Sequence, residues 1–152
     1  MYRTLVSDQS VTVYGPLQIW NTDTIGTTSL PNGIILKSGR SSLISSSGKD
    51  SIDIYYSSNG FVITALSIYN RSTSFFVGLS ANLNDSLESP TKLDSWVTLV
   101  QDSETNYFFL FDSGSHYSKM IITEKGGGAP GDPQAWVKVK LLYNNKTNDR
   151  RF

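Results

Sequence analysis

Along this chain apolar and polar residues alternate with a period of two far more often than with the three-to-four spacing of a helix. In AWVKVKLLY (135–143), Val137, Val139 and Leu141 fall on one side and Lys138 and Lys140 on the other, as expected of an antiparallel strand with one wet face. In SIDIYYS (51–57), Ile52, Ile54 and Tyr56 alternate with Asp53 and Tyr55, which predicts a second half-exposed strand. Similar β-branched and aromatic runs occur at LQIW (17–20), GIILK (33–37), SSLIS (41–45), FVITALSIY (61–69), SFFVGLS (74–80), WVTLV (96–100), NYFFLF (106–111) and YSKMIITE (117–124). Each is bounded by turn residues. The pattern predicts an all-β fold, an antiparallel β-sandwich of jelly-roll or Ig-like type with about ten short strands.

The separators carry turn chemistry. Ser57-Ser58-Asn59-Gly60 reads as a tight hairpin, because Asn-Gly tolerates the positive φ that a type I′ turn requires. Asp112-Ser113-Gly114-Ser115 reads as another, with Asp and Ser side chains bonding the turn's own amides and Gly114 supplying positive φ. Pro31-Asn32-Gly33, Ser47-Gly48-Lys49-Asp50 and Tyr69-Asn70-Arg71-Ser72 mark further turns. ANLNDSLESPTKLDS (81–95) reads as a loop with at most a short turn of helix before Pro90. Gly126-Gly127-Gly128-Ala129-Pro130-Gly131 joins the last two strands and lacks the Gly-Lys-Ser/Thr run of a phosphate loop. No internal repeat is present.

Composition narrows the function classes. At 152 residues the chain predicts one domain over 1–152, with 1–10 and 144–152 as extended ends; a domain of this size buries roughly 68–70% of its unfolded surface and needs no staple. There is no cysteine, which excludes disulfides, thiolate metal sites and a cysteine nucleophile. The net charge is zero, so the basic excess expected of a nucleic-acid binder is missing. The one basic cluster, Lys146, Arg150 and Arg151, reads as a solvated tail. MYRTLVSDQSVTVYG lacks the basic start and apolar run of a signal peptide, and no segment has the ~18 apolar residues of a membrane-spanning helix. These features predict either synthesis and use without secretion or a processed form of a longer chain.

Candidate chemistry concentrates in FLFDSGSHYSKMIIT (109–123), which holds the only histidine. FLFDSGS resembles the active-site turn of retroviral-type aspartic proteases, which implies Asp112 as one of two carboxylates sharing a proton across a dimer. The apolar-apolar-Gly turn that such enzymes place downstream is missing here; Phe76-Val77-Gly78 precedes Asp112 instead. No Gly-x-Ser-x-Gly elbow accompanies His116, so serine hydrolysis has no nucleophile. His116 and Met120 lie four apart and share one strand face, a pair able to ligate haem iron. The segment that holds them, with the Gly-rich loop and AWVKVKLLYN that follow it, is similar in pattern to the terminal strands of HmuY-like haem-binding β proteins. Asn82, Asn84, Asp85 and Glu88 offer oxygens to calcium without EF-hand spacing. Tyr55, Tyr69, Tyr117 and Trp136 are candidate sugar-stacking faces.

Together these features predict a non-enzymatic protein with no cofactor and no metal. The expectation is a structural subunit of a virus or phage particle, assembled in the host cytoplasm, acting through protein–protein contacts with other subunits and forming a homo-oligomer. Its partners would include a glycan or receptor, but neither nucleic acid nor a membrane. The alternative is an extracellular or cell-surface module binding carbohydrate or a small ligand, haem included, through Tyr55, Tyr69, Tyr117, Trp136, His116 and Met120.

Overall fold

A computed structural model describes residues 10–21, 30–43, 52–57, 62–65, 72–128, 132 and 134–152. The chain is all-β with antiparallel sheets. The described strands are β1 (Val11–Trp20), β2 (Gly33–Ile35), β3 (Arg40–Ser42), β4 (Ile54–Tyr56), β5 (Val62–Ala65), β6 (Ser74–Val77), β7 (Leu99–Gln101), β8 (Phe108–Phe111), β9 (Tyr117–Gly126) and β10 (Trp136–Asn144). They form two five-stranded sheets, ordered β1-β10-β9-β8-β6 and β3-β2-β4-β5-β7.

The period-two pattern of β10 determines what it buries. Val137, Val139, Leu141 and Tyr143 join Ile19, Met120, Ile122, Phe108, Leu110 and Phe75 of the first sheet in one apolar cluster. Ile34, Ile54, Tyr56 and Val100 of the second sheet complete that cluster. Polar groups also link the sheets: the Tyr56 hydroxyl donates to Asp102 Oδ2 at 2.6 Å, and Lys125 Nζ of β9 lies 3.4 Å from Asp102 Oδ1. Asp53, which the alternation of SIDIYYS puts opposite the core residues, is also buried, because its Oδ2 accepts the Leu36 N–H at 2.9 Å.

The Asp112–Ser115 hairpin joins β8 to β9, with Phe111 facing Tyr117. Asp112 Oδ1 accepts the N–H groups of Gly114 at 2.9 Å and His116 at 3.0 Å. The positive φ falls on Ser115, at 64°, and not on Gly114. Ser115 is held there by two bonds, from its N–H to the Asp112 carbonyl and from the Asn148 N–H to its own carbonyl. β4 and β5 pair antiparallel with Tyr56 opposite Ile63; the Asn59-Gly60 turn between them lies outside the described residues.

Residues 78–98 contain no helix. They fold over the outer face of the first sheet and enclose a second apolar cluster of Leu83, Trp96, Tyr107, Phe109, Tyr117 and Ile121. The last residues of the chain lie across this loop. Ser89 N–H donates to the Arg150 carbonyl, Phe152 N–H donates to the Leu87 carbonyl, and the Phe152 ring packs against the cluster. Residues 1–9 lie outside the described part.

Candidate functional site

The hairpin that holds the only histidine forms one wall of a cleft of about 290 Å³, shared with Lys37, Asp53 and Tyr143. His116 Nδ1 is 3.4 Å from Asp112 Oδ1, and its ring lies 5.5 Å from that of Tyr143. The rest of the wall is committed to holding the turn. Both amide bonds to Asp112 are internal to the hairpin. The Ser113 hydroxyl accepts the Ser72 N–H at 2.6 Å and donates to the Ser72 carbonyl at 3.1 Å. A serine bonded on both sides to one backbone residue presents no free nucleophile. Among the described residues no three His, Asp or Glu side chains are grouped to hold a metal ion.

The other predicted residues are dispersed. Met120 is fully buried between the sheets, while His116 lies at the cleft. Tyr117 is buried on the outer face, edge-on to Trp96 and Phe111, and its hydroxyl accepts the Lys92 N–H at 3.0 Å. Trp136 is half-buried at the start of β10, with Lys138 Nζ 5.3 Å from its ring centre. Gly126 lies beneath that ring, and a Cβ there would come within 2.4 Å of it. Tyr117 and Trp136 thus sit near opposite ends of the β9–β10 pair, about 27 Å apart at 3.4 Å per residue. Tyr55 belongs to the second sheet and packs on Ile52; Tyr69 lies outside the described residues.

Two features were not anticipated from the sequence. The first is Lys119, which is 0% exposed in the second apolar cluster. Its amine donates to the carbonyls of Leu83 and of Ser86, the latter at 2.7 Å, and lies 4.5 Å from the Tyr107 ring centre. Burial holds the Lys119 amine below the usual lysine range, partly countered by the charge of Asp85. Asp85 accepts bonds from Ser80 and Tyr107, which lower its pKa. Burial, reinforced by the bond to Asp85, pushes the Tyr107 hydroxyl up to about 12. Lys119 shares a strand face with Tyr117 and Ile121, but nothing local in YSKMIIT shows that this face is covered.

The second feature is an apolar edge. Of the exposed large apolar side chains described, Phe76, Val77, Leu79, Leu87, Leu93, Val97 and Leu99 all come from residues 76–99, and only Val13 lies elsewhere. β6 and β7 are the terminal strands of their sheets. Val97, two residues before β7, bridges to β6: Phe75 and Val97 exchange two backbone bonds of 2.7 and 3.0 Å. Beyond that bridge lies a groove of about 370 Å³ lined by Val77, Val97, Leu99, Val100 and Phe108, with Gln101, Ser103 and Asn106 the polar residues of its lining. Gly78 N–H bonds to the Tyr107 carbonyl and Phe75 N–H to Val97. By the alternation of an antiparallel ladder the N–H and C=O of Val77 therefore point out of the sheet, into the open edge.

No protein-family model, curated protein or solved structure matches this chain.

Proposed function

We propose that this chain is a non-enzymatic contact protein, a structural subunit of a virus or phage particle of the capsid, decoration or tail-accessory kind. In this reading its two sheets form a β-sandwich and its work is done by surface. The observation that carries it is the concentration of exposed apolar side chains in residues 76–99, with Leu79 at 89% exposure. Exposed apolar side chains, where they adjoin, are a liability on a free monomer and mark an interaction site. A wholly neutral chain, with 13 basic and 13 acidic residues, also associates without long-range repulsion.

The location that follows is the virion, after assembly in a host cytoplasm, with other subunits as partners. The enzymatic readings draw no support from the hairpin, whose Asp112 and Ser113 are bonded to backbone. Light scattering across a range of protein concentrations tests the proposal. Defined oligomers or growing assemblies are expected, and a strict monomer at high concentration would overturn it.

A further inference from the structure

The cover over the Lys119 cluster is thin. Of residues 81–98 only Leu83, Ser89 and Trp96 are buried, and none of residues 145–152 is. The sheet face beneath is closed to solvent, with Lys119 and Tyr107 at 0% exposure. Nor is the cover packed tightly: a cleft of about 350 Å³ separates it from the sheet, with Ser86, Glu88, Pro90 and Arg150 on one side and Tyr107 and Phe109 on the other. A segment that buries few of its own side chains opens at a lower free energy than the sheet it covers.

The bonding divides this cover into a flap and a holder. Residues 80–90 keep their own shape, since Ser80 Oγ accepts the Asn82 N–H and Asn82 Oδ1 the Asn84 N–H, both at 3.0 Å. The flap is fixed at its ends, where the Tyr107 N–H donates to the Ser80 carbonyl and the Lys92 N–H to the Tyr117 hydroxyl. Its centre rests on the sheet through Asp85, bonded to the Tyr107 hydroxyl, and through the Leu83 and Ser86 carbonyls, bonded to the Lys119 amine. Its outer rim bonds instead to residues 150–152. Ser89 N–H donates to the Arg150 carbonyl, Phe152 N–H to the Leu87 carbonyl, and the Arg150 guanidinium to the Ser89 carbonyl, all at 2.8 Å. Those residues follow a turn anchored elsewhere, in which Lys146 N–H donates to Asn144 Oδ1 and Asn148 N–H to the Ser115 carbonyl.

We infer that residues 149–152 are a latch on the flap of residues 82–91, and that the two open over Lys119 while both sheets stay folded. The hold is shallow. The Arg150–Glu88 ion pair, at 3.4 Å, joins side chains 35% and 57% exposed, where screening by water leaves it weak. Opening breaks the rim bonds, with that from Asn144 Nδ2 to the Arg151 carbonyl, and lifts the Leu83 and Ser86 carbonyls off the amine. It presents to solvent a primary amine flanked by the Tyr107 and Phe109 rings, which the closed form hides. The inference goes beyond the contact reading and does not depend on it.

Acetylation by an N-hydroxysuccinimide ester, read by peptide mass spectrometry, reports the opening, with exposed Lys140 as the internal reference. Hydrogen exchange of the β10 amides in the same samples reports opening of the core. In wild type, Lys119 is expected to react far more slowly than Lys140, yet faster than β10 opening allows. Arg150→Met should raise the Lys119 rate relative to Lys140 about tenfold, because the rim loses a charge-assisted bond. Phe152→Ala should raise it as well. Val139→Ala, in the core between the sheets, should speed β10 exchange and leave Lys119 labelling unchanged. A wild-type Lys119 rate equal to that of β10 opening, or one that rises with Val139→Ala, overturns the inference. So does a rate that neither Arg150→Met nor Phe152→Ala changes. Circular dichroism confirms that each variant is folded, and if Phe152→Ala is not, Arg150→Met alone decides.

Discussion

Replacing Lys119 by Met removes the ammonium while keeping an unbranched chain of similar length beneath Tyr107, Phe109 and Phe152. Packing is thereby largely conserved, and a swap of this kind costs little by itself. What changes is the hydrogen bonding of the loop above, because the Leu83 and Ser86 carbonyls lose their donor. A buried acceptor left unpaired costs about 1–3 kcal/mol, which is the loss at Leu83, and the part-buried bond to Ser86 adds to it. Relief of the buried charge offsets part of this, as the lowered pKa of Lys119 indicates. The balance is a loss of about 2 kcal/mol, or roughly 4–8 °C in Tm for a domain of this size. Urea unfolding of wild type and Lys119→Met measures it, and hydrogen exchange in residues 83–89 should rise more than in β10. A variant as stable as wild type, with exchange unchanged in that loop, would refute the claim that the amine anchors it.

Three further outcomes follow from the geometry. Tyr56 and Tyr107 have raised pKa values, through burial first and their bonds to Asp102 and Asp85 second; a raised value adds stability that is complete below pH 10 and is lost as pH climbs through the folded value, about 12 for Tyr107. Phenolate absorbance should therefore show Tyr56 and Tyr107 lagging until the protein unfolds, and their titration near pH 10 in the folded protein would contradict this. Ser115→Gly should stabilise by about 0.5–1 kcal/mol and Ser115→Val should cost about 1–2 kcal/mol, because φ is 64° there; equal denaturation midpoints for the two would refute the assignment. His116→Ala should leave both the fold and the mass in solution unchanged by circular dichroism and light scattering, and a changed mass in a folded variant would show that the hairpin cleft takes part in contacts.

The core strands were legible because each carries its own evidence. Val137, Val139 and Leu141 alternate with two lysines whatever the remainder of the chain does, and all three are buried. Lys119 was not legible. A lysine within a strand ordinarily faces water, and this one is buried because residues 78–98 and the chain end close over it, a long-range fact that no local pattern encodes. The same loop, NLNDSLES, read correctly as polar and irregular, but nothing in it shows which sheet face it covers. At the hairpin, Asp112 was placed correctly as the bonding residue, while the positive φ moved one position on because Asn148 holds the Ser115 carbonyl. The apolar edge was hidden for a related reason. Val77 and Leu99 look like core residues in SFFVGLS and WVTLV, and only the strand order shows that both strands are terminal in their sheets.

That strand order also bears on how the fold is reached in time. β1 has one partner in its sheet, β10, with Val11 opposite Asn144, so the first described strand waits for the last. Pairings that span nearly the whole chain place a protein among slow folders, in the range of milliseconds to seconds. During that interval the β9–β10 pair offers an open edge rich in Val and Leu. Nascent chains crowded at high concentration would meet one another through it before β1 arrives.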